Sequence, residues 1–213
     1  MDKELISVFQ LIVFIFSVMI HEIAHGAIAL KLGDPTAKNA GRLTLNPIRH
    51  IDFFGSILLP LLLIAVKSPF LIGWAKPVPF NPMNLKDPKR GAGIIAAAGP
   101  LSNLFVAAVF GIFLRGLLLA GDAPTFSALA ILFNIVVFVN VILAVFNLLP
   151  LPPLDGSSIL FAFLPRQLYP LQIFLSRYGL YLLMFLIFFG VFDFLQPVIM
   201  AIYLFLVGSA SIF

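Results

Sequence analysis

Two histidines and a glutamate interrupt the first long apolar run of the 213-residue sequence. His21, Glu22 and His25 form the pattern H-E-x-x-H within "MIHEIAHGAIAL". On an α-helix, residues four apart share a face and lie about one turn apart along the axis, so the two imidazoles can bind one zinc ion. The glutamate beside the first histidine can then take a proton from a zinc-bound water. The pattern predicts metal-assisted hydrolysis with Glu22 as the general base.

A third metal ligand has to come from another part of the chain. Catalytic zinc usually has three protein ligands and one open position for water, and the sequence contains no cysteine. His50 is the one remaining histidine, and among the carboxylates Asp155 stands out. It follows "NLLPLPP" and precedes Gly156, so proline ends a helix and glycine permits a tight backbone there. The alternative role for Asp155 is to N-cap the next helix. The remaining loop aspartates are expected to be solvated: Asp34, Asp52, Asp87 and Asp122.

The composition predicts the elements that position these side chains. Hydrophobic residues make up 62% of the chain and charged residues 10%, too apolar a mixture for the surface of a soluble domain of this size. We predict one all-α polytopic membrane domain over residues 1–213, with about five or six membrane segments. Long helices are predicted over 4–31, 93–119 and 126–148. The run 178–213 is either one kinked helix or a hairpin.

Metal geometry predicts how the long helices run. Metal–ligand bonds are about 2 Å long, so if Asp155 is the third ligand, the C-terminal end of helix 4–31, near His25, and that of helix 126–148, just before Asp155, must meet at one depth. The first helix is therefore parallel to 126–148 and antiparallel to 93–119. Segment 54–66 is too short and too interrupted for a full crossing, so a re-entrant segment is predicted near 54–80.

The basic residues predict which side of the membrane the site faces. Lysines and arginines cluster in the two loops that precede helix 93–119, whereas the turn at 121–125 has none. By the positive-inside rule, those loops are cytoplasmic. His25 then lies roughly 10 Å inside the cytoplasmic face, from the helical rise per residue. The net charge of +4 thus serves topology, and no nucleic-acid partner is expected.

Three pieces of sequence, taken in order, resemble the site-2 protease family of intramembrane zinc metalloproteases, in its minimal form without PDZ or CBS domains. They are "HEIAHG" at 21–26, "AAAGPLSN" at 96–103 and "NLLPLPPLDG" at 147–156. The resemblance implies one zinc ion per chain and a substrate that is a transmembrane protein or peptide in the lipid bilayer. It also implies a multi-pass protein of a bacterial or archaeal cell membrane. A polytopic transporter and a catalytically inactive membrane zinc protein are the alternatives.

The resemblance also assigns roles to individual residues. It implies metal ligands His21, His25 and Asp155, Glu22 as general base, and a place near the substrate for Asn147. Asn147 could donate to the oxyanion or could hydrogen-bond a neighbouring helix. Asn140, seven residues earlier on the same face, is the better candidate for an interhelical bond, with Asn103 as its partner.

Overall fold

The computed structural model describes residues 3–50, 52–58, 62, 65, 76–119 and 124–208. Over these residues the chain is mostly helical and contains no strand. The α-helices whose two ends both lie in the described residues are α1 (Lys3–Lys31), α2 (Thr36–Asn39), α3 (Pro88–Leu119), α4 (Pro124–Asn147), α5 (Asp155–Phe163), α6 (Tyr169–Phe188) and α7 (Val191–Val207). A π-helical turn covers Phe53–Leu58, and 3₁₀ turns cover Pro47–His50, Pro82–Asn84 and Arg166–Leu168.

Four helices in the described part of the chain are long and apolar enough to cross a membrane: Glu4–Lys31, Pro88–Leu119, Ala128–Asn147 and Arg166–Phe188. The helix Val191–Val207 is apolar but shorter. The protein is thus an all-α polytopic membrane protein, as its composition predicts. Most of the predicted re-entrant segment, 54–80, lies outside the described residues, so that assignment stays a prediction.

The main apolar core lies between α3, α4 and α7. Its fully buried members include Leu114, Val137, Val141 and Tyr203. The Tyr203 hydroxyl donates to Asn134 Oδ1 at 2.6 Å, which satisfies a polar group that would be costly to leave unpaired at this depth. This core fixes α4, the helix that ends just before Asp155.

A layer of buried polar side chains joins α1, α3 and α4. Asn103 Nδ2 donates to Asn140 Oδ1 at 2.9 Å and to the Ser17 carbonyl at 3.2 Å. Asn140 Nδ2 donates in turn to Ser17 Oγ at 2.9 Å. The predicted pairing of Asn103 with Asn140 is therefore confirmed, and such bonds are typical of helix contacts in membranes.

The order of these contacts gives the helix directions. As α1 proceeds from Ser17 and His21 to His25, its hydrogen-bond partners on α3 decrease in residue number. Asn103 bonds to Ser17 and His21, and Ile95 bonds to His25. Along α4, Val136 lies near Val13 in one apolar cluster, and the polar layer follows one turn further on in both helices. Helix α1 is therefore antiparallel to α3 and parallel to α4, as metal geometry predicts.

Two helix starts differ from the sequence prediction. Helix α3 begins at Pro88, where the Asp87 carboxylate accepts the Arg90 N–H at 3.0 Å and supplies an N-terminal cap. Helix α6 begins at Tyr169, well before 178, because Pro170 fits the first helical turn. The final run is two helices, separated at Gly190, whose φ of +83° favours glycine.

Candidate metal centre

Three side chains from two helices, His21 and His25 on α1 and Asp155 at the start of α5, converge on one point. Asp155 Oδ2 lies 2.9 Å from His21 Nε2 and 3.4 Å from His25 Nε2. The two imidazole rings are edge-to-face, with centroids 4.7 Å apart. The sequence-predicted ligands therefore meet, although Asp155 is 130 residues beyond His25 in the chain (155 − 25).

The other nitrogen of each imidazole has a fixed partner. His25 Nδ1 lies 2.7 Å from the Ile95 carbonyl oxygen, which can only accept, so Nδ1 is the donor. His21 Nδ1 lies 2.6 Å from Asn103 Oδ1, and the amide nitrogen of Asn103 is already committed to the polar layer. In the neutral form, each imidazole thus carries its proton on Nδ1 and presents Nε2 as a bare acceptor. This is the arrangement that supporting partners impose on metal-binding histidines.

The converging atoms fit a bound cation. Two bare imidazole nitrogens and a carboxylate oxygen face one another, and the buried Asp155 Oδ2 has no hydrogen-bond partner. Three acceptors at this range repel one another unless a positive charge lies between them. Tetrahedral zinc with bonds of about 2.0–2.2 Å would separate its ligand atoms by about 3.3–3.6 Å. The observed distances lie at or just below that range, so the donor set fits zinc.

Gly99 forms the wall of the site on α3. A Cβ added to Gly99 would lie 2.5 Å from both His21 Nε2 and His25 Nε2, within the space between the two donor atoms. The sequence analysis used the "AAAG" stretch only as part of the family resemblance. Its position four residues before Asn103 was the signal that this glycine belongs to the site.

The chain presents Asp155 through a tight loop after α4. Prolines at 150, 152 and 153 end the helix, and the N–H of Leu154 donates to the Leu151 carbonyl at 2.9 Å. Leu154 is the N-cap residue of α5, and no side chain caps that helix. The N-cap alternative for Asp155 is therefore wrong, because its carboxylate points at the two histidines.

Glu22 lies beside the same group but has a different partner. One ligand atom from each of His21, Glu22 and His25 lies within 4.8 Å of the others. Glu22 Oε2 accepts the backbone N–H of Val78 at 2.7 Å. The contact comes from the end of the segment 54–80, which the sequence predicts to be re-entrant, and no local pattern would have predicted it.

Two further sequence candidates make hydrogen bonds to backbone carbonyls outside the group of converging donors. Asn147 Nδ2 donates to the Leu143 carbonyl of its own helix at 2.9 Å. His50 is buried and pairs through Nε2 with the Thr44 carbonyl at 2.9 Å. His50 belongs to no metal-binding group among the described residues.

Asp34 was expected to be solvated, and that expectation is wrong. Its side chain is 0% exposed and accepts from the Asn81 N–H at 2.6 Å and from Asn84 Nδ2 at 2.7 Å. Burial raises the pKa of the Asp34 carboxyl, but hydrogen bonds from Thr36, Asn84 and Asn81 outweigh it and hold the pKa below its usual value. Because the pKa of Asp34 is lower in the folded than in the unfolded protein, its carboxylate stabilises the fold at pH values above the unfolded-state pKa. This stabilisation is lost as the pH falls through the folded-state pKa.

The apolar helices and the gathered histidine, glutamate and aspartate side chains are those of a membrane protein of the H-E-x-x-H metallopeptidase class. The sequence profile of Peptidase family M50 matches residues 117–189. The chain belongs to this family, the site-2 protease family, and is a zinc metalloprotease.

Curated relatives support the same membership. The chain is 43% identical over 156 residues to "Putative zinc metalloprotease YwhC" of Bacillus subtilis. The aligned region covers 71% of this chain and 67% of the relative. It is 32% identical over 157 residues to "Putative zinc metalloprotease Rip2" of Mycolicibacterium smegmatis, covering 73% of this chain and 58% of the relative. The Rip2 protein of Mycobacterium tuberculosis is 31% identical over 147 residues, covering 69% and 54%. The chain therefore spans between about half and two thirds of these relatives. No solved structure matches it significantly.

Proposed function

We propose that the protein hydrolyses a peptide bond in or near the transmembrane segment of a membrane protein. The observation that carries the proposal is the convergence of three acceptor atoms, from His21, His25 and Asp155, beside Glu22 and among apolar helices. A water molecule and a substrate carbonyl can meet at such a site inside the bundle. A single membrane-embedded domain is enough to provide every residue that the reaction needs.

Different residues bind the metal and transfer the proton. His21, His25 and Asp155 would hold zinc, which as a Lewis acid would favour the ionisation of water near neutral pH. Glu22 accepts a proton from the attacking water and delivers it to the leaving amine. Asn147 uses one of its two amide hydrogens on Leu143, so the other remains for the oxyanion.

The substrate class and the reaction can be tested together in cells. We expect one or more single-span membrane proteins to persist intact in cells that carry the Glu22→Gln protein and to be shortened in cells with the wild-type protein. Quantitative proteomics of the membrane fraction measures this, with the empty host as the control. Identical membrane proteomes in the wild-type and Glu22→Gln cells would contradict proteolysis in the membrane.

We further propose that the site faces the cytoplasm, because the loops beside the C-terminal end of α1 are basic. Cysteines that replace Lys38, Lys86 and Ala123 can test this, since the native chain has none. The first two positions are exposed near the metal-binding end of the bundle, and the third lies in the connection between α3 and α4. We expect an impermeant thiol reagent to label position 123 in intact cells and to miss positions 38 and 86. Labelling at 38 with protection at 123 would invert the orientation.

A further inference from the structure

A short segment without regular secondary structure, residues 76–81, crosses the face of α1 that carries Glu22, and is here termed the strap. Val78 lies in its middle, between Pro77 and Pro79. Proline has no N–H and fixes its own φ, and the residue before a proline is biased towards an extended backbone. Val78 is therefore the one residue of this P-V-P triplet that can donate a backbone hydrogen bond. Its neighbours keep that donor from being used in a helix.

Buried charged side chains tie down the strap on both sides of its centre. At one end, the Arg42 guanidinium donates to the carbonyls of Lys76 at 2.6 Å and Pro77 at 3.2 Å. At the other end, the Asp34 carboxylate accepts the Asn81 N–H at 2.6 Å. Hydrogen bonds to charged groups are stronger than those between neutral groups. The strap is therefore held in one place relative to α1.

Val78 contacts α1 twice on the same face. Its N–H donates to Glu22 Oε2 at 2.7 Å. Its side chain is 8% exposed and lies against Gly26, one turn after Glu22, where an added Cβ would be 2.9 Å from Val78 Cγ1. Close packing and a charge-assisted hydrogen bond together fix the height of the strap above the general base.

We infer that the backbone N–H of Val78 is a positioning group for Glu22, holding Oε2 so that Oε1 faces the attacking water. The inference rests on the proposed hydrolysis and deepens it. A carboxylate has two acceptor oxygens, and an unrestrained glutamate side chain can turn either of them towards or away from the reaction. A misplacement of about 1 Å can cost a factor of about 100 in rate.

The same bond separates the base from the metal ligands. Glu22 lies close enough to His21 and His25 to join them around an ion, and a third ligand from Glu22 would compete with Asp155. Because Oε2 is engaged by the strap, Glu22 is held as a base and Asp155 is left to complete the donor set. The hydrogen bond from the strap therefore determines that Glu22, and not Asp155, is the carboxylate that transfers the proton.

An amide-to-ester replacement tests this contact directly. The α-hydroxy analogue of valine, introduced at position 78 by nonsense suppression, replaces the N–H with an oxygen and keeps the side chain. We expect kcat on a reconstituted transmembrane substrate to fall at least about tenfold, with KM and bound zinc unchanged. Val78→Ala is the comparison variant, because it keeps the N–H and removes part of the packing, so its kcat should fall much less than that of the ester variant.

Two outcomes of the kinetics overturn the inference. One is an ester variant with the kcat of the wild-type protein. The other is an equal loss from the ester and from Val78→Ala, which would assign the effect to side-chain packing.

Hydrogen exchange at Val78, followed by NMR with valine labelling, needs no cleavage assay. The N–H should be protected in the wild-type protein and exchange faster in Glu22→Ala, and equal exchange rates would overturn the contact. Failure of the proposed function looks different: the wild-type protein cleaves no transmembrane substrate, while exchange at Val78 still depends on Glu22.

Discussion

Replacing Glu22 by glutamine is expected to lower kcat by at least about a hundredfold, because general-base catalysis typically contributes a factor of 10²–10⁴. Glutamine keeps the shape of glutamate and can still accept the Val78 N–H through its carbonyl oxygen. It cannot take a proton from water. The variant should therefore fold, bind one zinc ion per chain and leave its substrate intact. Cleavage of a purified transmembrane substrate in liposomes, with zinc content measured on the same sample, checks each of these points.

Glu4→Gln is the matched control for this experiment. It makes the same chemical change near the other end of α1, where Glu4 is exposed. Its activity should equal that of the wild-type protein. A Glu22→Gln protein that keeps activity within about tenfold of wild type would contradict the general-base role, given the usual size of the effect.

The second large effect is expected at the metal. Asp155→Ala should lower zinc affinity by at least about tenfold, since even the loss of a supporting partner costs a factor of 10–100. The carboxylate supplies the one negative charge among the three converging donors. Titration of the metal-free protein with zinc in the presence of a competing chelator measures the change. Circular dichroism on the same samples reports whether the helices remain.

His50→Ala serves as the control for the ligand set. His50 is buried, as His21 is, but its ring pairs with a backbone carbonyl away from the converging donors. The variant should bind zinc as the wild-type protein does. If His50→Ala lost the metal and Asp155→Ala retained it, the third ligand would be wrongly assigned.

Much of the site could be predicted from sequence because its parts follow local rules. The spacing of His21 and His25 fixes their relation on any α-helix, and an ionisable residue in an apolar helix needs a function or a partner. Asp155 stood out because prolines and a glycine surround it. The relative direction of α1 and α4 followed from the shortness of metal–ligand bonds, so a tertiary feature could be derived from covalent geometry.

Other parts could not be predicted, because their meaning depends on residues far away in the chain. Asp34 resembled any loop aspartate, yet it is fully buried by a segment that returns nearly fifty residues later. Arg42 resembled a topological signal, yet its guanidinium binds the carbonyls of Arg49, Lys76 and Pro77. A charge pattern reports the number of charges in a loop and contains no information about which carbonyl lies opposite each one.

The sequence by itself determined the membrane class, the long helices and the type of chemistry, because hydropathy, helical periodicity and ligand spacing are all properties of short stretches. Only the tertiary structure decided the supporting contacts: Asn103 on His21, Gly99 between the histidines, and Val78 on Glu22. Each of these depends on two helices or a strap approaching to within a hydrogen bond or a van der Waals contact. The packing of the whole bundle sets such distances, and no stretch of the chain contains them by itself.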